Sequence, residues 1–335
     1  SICQQVVENS ATYLAGITGM YCLCGFSFSC RRIGKAGQKK VSQGLNGLPS
    51  IIDLMAIYDK MQGWPRHQST YMKKSIAVIL IGLFFVSFSF PTKEKWIKLF
   101  NGRDINDWTV KIFHHEVGDN YGNTFRAEDG IIKVRYDQYE QFNNRYGHLF
   151  YNKPFSYFKL RFDYRFTGIW RSDAPSYTKI NSGVMYHSQD PRTILKEQDW
   201  PISVEFQVLG GLEDGVSRPT GNMCSPGTDI FFQGKKDPRH CISSSSKTYY
   251  GDQWVHAELI VLGDSLVTHL INGDTVLQYT KPQIGGGVAN GYNPAIKIDG
   301  KLLKKGFIAL QSEGQEIDFK NIELLDLSKK YKNNE

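Results

Sequence analysis

The chain has 335 residues, of which 41% are hydrophobic and 13% aromatic, enough for a substantial core and far too apolar for an intrinsically disordered protein. Its net charge of +7 is unevenly placed: residues 1–91 carry nine basic and three acidic side chains, and the remainder is nearly balanced. The basic character therefore belongs to the leader, and the main part of the chain has no charge signature for nucleic acid.

Residues 1–71 begin with Ser and are fairly apolar from Ala11 to Phe28. Cys22, Cys24 and Cys30 match no common zinc spacing and have no His beside them, so the segment is assigned no function. It reads as translated upstream sequence, with a membrane leader as the second reading. Met72-Lys73-Lys74, the apolar run Ile76 to Val86 and the small-x-small sequence Ser87-Phe88-Ser89 form a signal-peptide pattern over residues 72–91. The run is shorter than the roughly 20 residues that span a bilayer, although an uncleaved anchor over residues 75–90 would give the same pattern. The expectation is an exported protein, periplasmic, at the cell surface or secreted, whose membrane contact is confined to this N-terminal stretch.

From Lys95 onward the hydrophobic pattern has period 2, with turn dipeptides between segments and no long run of helical period. Trp96 to Phe100 ends at Asn101-Gly102, and Glu128-Asp129-Gly130 leads into Ile131 to Val134 as a hairpin. Leu160, Phe162, Tyr164 and Phe166 alternate with Arg161, Asp163 and Arg165. Asn181 to His187 places Gly183, Met185 and His187 on one strand face, and Ser203 to Leu209 places Val204, Phe206 and Val208 opposite Glu205 and Gln207. That second polar row is the candidate site, although a solvated sheet face would carry the same alternation. Trp200 and Tyr186 offer flat apolar lining near it.

Gly210 to Gly251 reads as a long irregular segment that walls the site. Its Cys224 and Cys241 are the only cysteines beyond the leader, and in an exported chain the simplest reading is a disulfide closing a loop of about 17 residues, worth roughly 3 kcal/mol. Trp254 to Leu262, Leu266 to Ile271 and Thr275 to Tyr279 are strands joined by Gly263-Asp264 and Asn272-Gly273. Lys281 to Lys305 is a Gly-rich connection; its Gly285-Gly286-Gly287 precedes no helix and is read as plain loop, not a phosphate cradle. Gly306 to Leu310 and Ile317 to Leu327 complete one all-β sandwich over residues 92–328, followed by a charged tail, residues 329–335.

These residues together resemble the 3-keto-disaccharide hydrolase family. The likeness runs in order through Leu99-Phe100-Asn101-Gly102-Arg103-Asp104 with Asp107-Trp108, Phe125-x-x-Glu128-Asp129-Gly130, Leu160-x-x-Asp163-Tyr164-Arg165-Phe166, Asn181-Ser182-Gly183, Val204-Glu205-Phe206-Gln207, Gly306 to Gln311, and Asp318-Phe319-Lys320-Asn321-Ile322. It implies a concanavalin-A-like jelly roll of two antiparallel sheets with a sugar site on the concave sheet, in exported bacterial proteins that cleave glycosides oxidised at C3. Arg165, Asn181, Glu205 and Gln207 fall on its motif positions. Where many members have His in a Leu-Gln-x-His-Gly segment, this chain has Glu313 before Gly314, so any chemical role there passes to a carboxylate.

Direct hydrolysis by two flanking carboxylates is disfavoured, because Glu205 is followed two residues later by an amide, Gln207. A 3-keto sugar offers another path: the carbonyl acidifies the C2 hydrogen, a base removes it, and the leaving group departs from C1. The expected base is Glu205 or His187, the enolate or hydroxyl partner Arg165 or Asn181, and the orienting contact Gln207. Trp200, Tyr186, His240 and Glu313 complete the expected substrate site. Arg165 is equally suited to an ion pair, Asn181 to a turn and His187 to the surface. The adjacent His114 and His115 face opposite ways on a strand and lack metal-ligand spacing. No cofactor is required; a divalent ion such as calcium held by Glu205, His187 and Asp163 is not demanded by any local spacing. A non-catalytic lectin-like carbohydrate-binding module is the alternative function, and a structural envelope protein a third.

Overall fold

The computed structural model describes residues 94–331. The residues 1–93 that carry the leader and signal-peptide readings lie outside the described part, as does most of the charged tail. No helix among the described residues is long and apolar enough to cross a membrane.

The strands are, in order, β1 (Trp96–Lys98), β2 (Trp108–Ile112), β3 (Phe125–Glu128), β4 (Ile131–Val134), β5 (Gly147–Tyr151), β6 (Tyr157–Phe166), β7 (Asn181–Ser188) and β8 (Val204–Leu209). They continue with β9 (Asn222–Cys224), β10 (Thr228–Phe232), β11 (Lys235–Asp237), β12 (Cys241–Ile242), β13 (Val255–Leu262), β14 (Leu266–Ile271), β15 (Asp274–Ile284), β16 (Phe307–Ser312) and β17 (Ile317–Asp326). The segment from Gly210 to Gly251, expected to be irregular, contains the short strands β9 to β12. Each is too brief for period-2 alternation to show in the sequence.

All pairings are antiparallel and form two sheets. One runs β11-β10-β15-β14-β13-β6-β17-β4-β3, with β1 added beside β17; the other runs β12-β9-β8-β7-β16-β5-β2. Turn chemistry holds the hairpins as expected: Asp129 and Gly130 between β3 and β4, and Asn272 and Gly273 between β14 and β15, all have positive φ. Such two-residue turns match the right-handed twist of the strands they join.

The core lies between the sheets. Phe158, Leu160, Phe162, Tyr164 and Phe166 of β6 face Val204, Phe206 and Val208 of β8, and all belong to one buried cluster. Phe162 and Phe206 meet edge to face at 5.7 Å between ring centroids. Each buried aromatic or aliphatic side chain contributes roughly 1.5–3 kcal/mol, which makes this inter-sheet layer the main stabilising feature.

The outer face of the seven-stranded sheet is also covered. Every residue of β7 is buried, and Phe150, Met185, Ile194 and Ala309 form a second apolar cluster, with Trp200 and Phe307 packed against it. The loop after β7 thus folds back over the sheet and leaves a recess beside β8.

Candidate active site

The recess is a cavity of about 350 Å³ on the outer face of the seven-stranded sheet. Glu205, Gln207, Asn181 and Cys224 line its floor; Glu313, Arg218, Leu209, Trp200, Tyr177, Pro226, Val288, His240 and Cys241 form its walls and rim. The floor follows from strand register: Glu205 faces Met185 on one side and Cys224 on the other, and Gln207 faces Gly183 and Asn222.

Gly183 is needed there. A Cβ at this position would lie 2.8 Å from Glu205 Cγ, so the glycine lets the carboxyl side chain lie across its neighbour strand. Asn222 Nδ2 donates to Gln207 Oε1 at 3.1 Å, and Ser244 N donates to Asn222 Oδ1 at 2.9 Å, fixing the amide on the floor. Asn181 Nδ2 donates to Tyr177 O at 3.1 Å, holding the rim segment to the strand.

Glu205 and Glu313 are 6% and 4% exposed, two carboxyls withdrawn from water in one cavity. Burial pushes Glu205 up to about 8, against a smaller opposing pull from the Gln311 amide. Glu313 is raised well above the carboxylate range, first by burial and then by the like charge of Glu205, with Arg218 acting in the other direction. Two carboxyls so placed resist ionising together, and the pair holds a proton at neutral pH. Glu313 directly follows β16, and Gly314 behind it, at φ 95°, turns the chain sharply away.

Arg218 brings the cavity's positive charge. Its Nη1 donates to Ile180 O at 3.0 Å and to Gly210 O at 2.6 Å, so two backbone carbonyls fix the guanidinium. Burial lowers its pKa and Glu313 raises it. Among the buried polar atoms without a protein hydrogen-bond partner are Glu205 Oε1, Asn181 Oδ1 and Gln311 Oε1, and His240 Nδ1 at the rim. Of these, the Glu205 and Asn181 oxygens lie on the floor, so a ligand rich in hydroxyl donors complements it.

The structure brings Glu205, Gln207, Asn181, Trp200, His240 and Glu313 together and separates three other expected residues from them. His187 leaves the floor because its φ of 49°, beside a register shift between β16 and β7, breaks the alternation set by Gly183 and Met185. Its Nε2 instead meets Gly263 O at 3.0 Å, in the turn after β13, and burial lowers the ring to about 4. It is neither a surface residue nor in reach of the cavity. Arg165 lies on the other sheet, where Nε donates to Asp318 Oδ2 at 3.0 Å and the guanidinium covers Trp254. Tyr186 points into the core, where its ring packs edge to face with His269.

The expected metal triad does not form either, since Asp163 is paired with His256 and Asn321 on the far sheet. Among the described residues the one group of three close metal-type ligands is Cys224, His240 and Cys241. Its two sulfurs are joined in the expected disulfide, so they are not thiolate ligands. His114 bonds Glu197 and His115 bonds Asp119, separate surface pairs.

Sequence reasoning missed Arg218, Tyr177, Leu209, Pro226 and Val288. All but Leu209 sit in connections, where no periodicity marks which way a side chain points; Leu209 ends β8 on the same side as Glu205 and Gln207, and the alternation rule alone would have found it.

A two-sheet antiparallel sandwich with a carboxyl-lined cavity on the outer face of one sheet is thus the class of protein in hand. The model of the 3-keto-alpha-glucoside-1,2-lyase-like domain family matches residues 95–325, and the chain belongs to that family. No curated protein sequence matches it. Similar solved structures include a Parabacteroides distasonis protein provisionally called a glycosyl hydrolase, at 19% identity and TM-score 0.41 over 69% of this chain and 94% of that one. A carbohydrate-binding module of Bacillus subtilis is similar at 10% identity and TM-score 0.36, over 64% and 93%.

Proposed function

We propose that this protein cleaves the glycosidic bond of 3-keto-glucosides by elimination. The observation that carries the reading is the pair of buried carboxyls, Glu205 and Glu313, in one cavity beside Arg218. The family's description, which names a 3-keto-alpha-glucoside lyase, supports the substrate class.

In this reading Glu205, ionised, takes the C2 proton. The electron pair moves toward the C3 carbonyl, whose developing enolate is stabilised by the charge of Arg218. The pair then returns to form a C1=C2 double bond as the C1–O bond breaks, and Glu313 gives its proton to the departing oxygen. The products are an unsaturated keto sugar and an alcohol; addition of water across the new double bond completes net hydrolysis. Asn181 and Gln207 orient the sugar hydroxyls.

The test uses the full chain on a 3-keto-α-glucoside and on its unoxidised counterpart. Release of the alcohol from the keto form alone is expected, and Glu205→Gln should lower kcat by roughly 10²–10⁴ while binding of the keto glucoside persists. Binding of either sugar with no turnover by the unaltered chain would sink the elimination reading and favour a sugar-binding module.

A further inference from the structure

The rim of the cavity carries a residue in a conformation that its side chain resists. Val288 has φ 70°, and the N–H of Ala289 donates to Gly287 O at 2.9 Å, so Val288 is the centre of a three-residue turn in the left-handed region. Such a turn is strained for any residue with a Cβ and more so for a β-branched one. The surroundings hold it there. Gly227 N donates to Gly287 O at 2.9 Å, Ala289 is buried, and Asn290 N and Nδ2 donate to the two Asp199 carboxyl oxygens at 2.7 and 2.8 Å. Asp199 in turn accepts from Trp200 N at 2.6 Å, so the turn and Trp200 are locked into one frame.

The strain fixes an apolar side chain at the mouth: Val288 is 44% exposed, and with Trp200 and Pro226 it lines the same cavity. Trp200 is itself braced from behind by Tyr146, stacked on it at 4.6 Å. Strain of this kind persists where the surrounding structure over-determines it, and it gathers at ligand sites. The floor is polar and the mouth on this side is apolar, where the aliphatic Val288 and Pro226 offer hydroxyls no hydrogen bond.

Resting on the elimination reading above, we propose that the Val288–Trp200–Pro226 rim is a leaving-group subsite that selects 3-keto-glucosides of apolar alcohols over 3-keto-disaccharides. The keto sugar occupies the floor, where Asn181, Gln207 and the carboxyls meet its hydroxyls, and its C1 oxygen points the alcohol outward onto the rim. A second sugar there would leave hydroxyls against apolar surface.

The experiment compares kcat/KM of the full chain for the 3-keto forms of cyclohexylmethyl α-glucoside and trehalose. Cyclohexylmethanol is a poorer leaving group than a sugar hydroxyl, so chemistry alone works against the expected order. A preference of roughly tenfold or more for the cyclohexylmethyl substrate is expected. Val288→Asn, whose side chain tolerates positive φ, should shrink the preference while raising Tm, because it relieves the strain as it removes the contact. Equal kcat/KM values, or a preference unaltered in Val288→Asn, would overturn the subsite. If neither substrate is cleaved, the elimination reading falls, and calorimetric binding of the same two glycosides decides the subsite separately. Tighter binding of the cyclohexylmethyl compound, lost in Val288→Asn, would keep it; equal binding would not.

Discussion

At the scale of single residues, the proposed function turns on two carboxyls that share one cavity. Glu205 must be ionised to accept a proton, and burial has moved it up to about 8. The rate on a 3-keto-glucoside should therefore rise with pH as Glu205 ionises through about 8, and fall once Glu313 loses the proton it donates. A kcat/KM profile across this range checks the order; activity already maximal at acid pH would assign the base elsewhere. His187 shows how far alternation carries. Period 2 places it beside Gly183 and Met185, but one backbone angle, φ 49°, sends it to the opposite side.

At the scale of elements, the site is made by close pairing of β7 with β8 and of β9 with β12. Gly183→Ala would drive a Cβ against Glu205 Cγ and Cδ, so the carboxyl side chain must shift out of its place on the cavity floor. The expected cost is roughly 1–3 kcal/mol by denaturant unfolding, with a larger fall in kcat because the displaced group is the proposed base. The β9–β12 pair joins Cys224 to Cys241 in register, so the disulfide sits on the ladder and lines the cavity at once. Replacing both cysteines with Ser should cost about 3 kcal/mol, or roughly 6–12 °C in Tm by calorimetry, and should raise KM as the wall loosens. A variant with unchanged Tm would show that the loop is held by its other bonds alone.

At the scale of the whole domain, stability is expected to fall on both sides of a maximum. His187 and His269 are held near 4 and His148 near 3, each chiefly by burial in its neutral form. A group whose folded pKa is depressed adds stability above its unfolded value, near 6.5, and that stability is lost as pH falls toward 4 and below. Glu205 and Glu313 act in the opposite sense. Both folded values are raised, so their contribution is complete below about 4.5 and is lost as pH rises, for Glu205 through about 8. Tm against pH should peak where these windows overlap, near pH 6, and Glu205→Gln should flatten the alkaline side. An alkaline limb unchanged in that variant would remove Glu205 as its source.

The longer strands, the hairpin turns, the single sandwich and the Glu205–Gln207 row were legible in the sequence, because alternation and turn residues act over a few neighbouring positions, whereas the short β2, β5 and β9 to β12 were not. The disulfide was legible from composition, since two cysteines beyond the leader leave one pairing. What only the tertiary structure decided is who meets Glu205. Glu313 follows it by more than a hundred residues, Arg218 and Val288 come from loops, and Arg165 belongs to the other sheet. Sheet order and loop return bring these groups together or keep them apart, and neither leaves a local periodic trace. The carboxyl pKa shifts follow the same division, because desolvation depends on what the fold packs over a side chain and not on its neighbours in the chain.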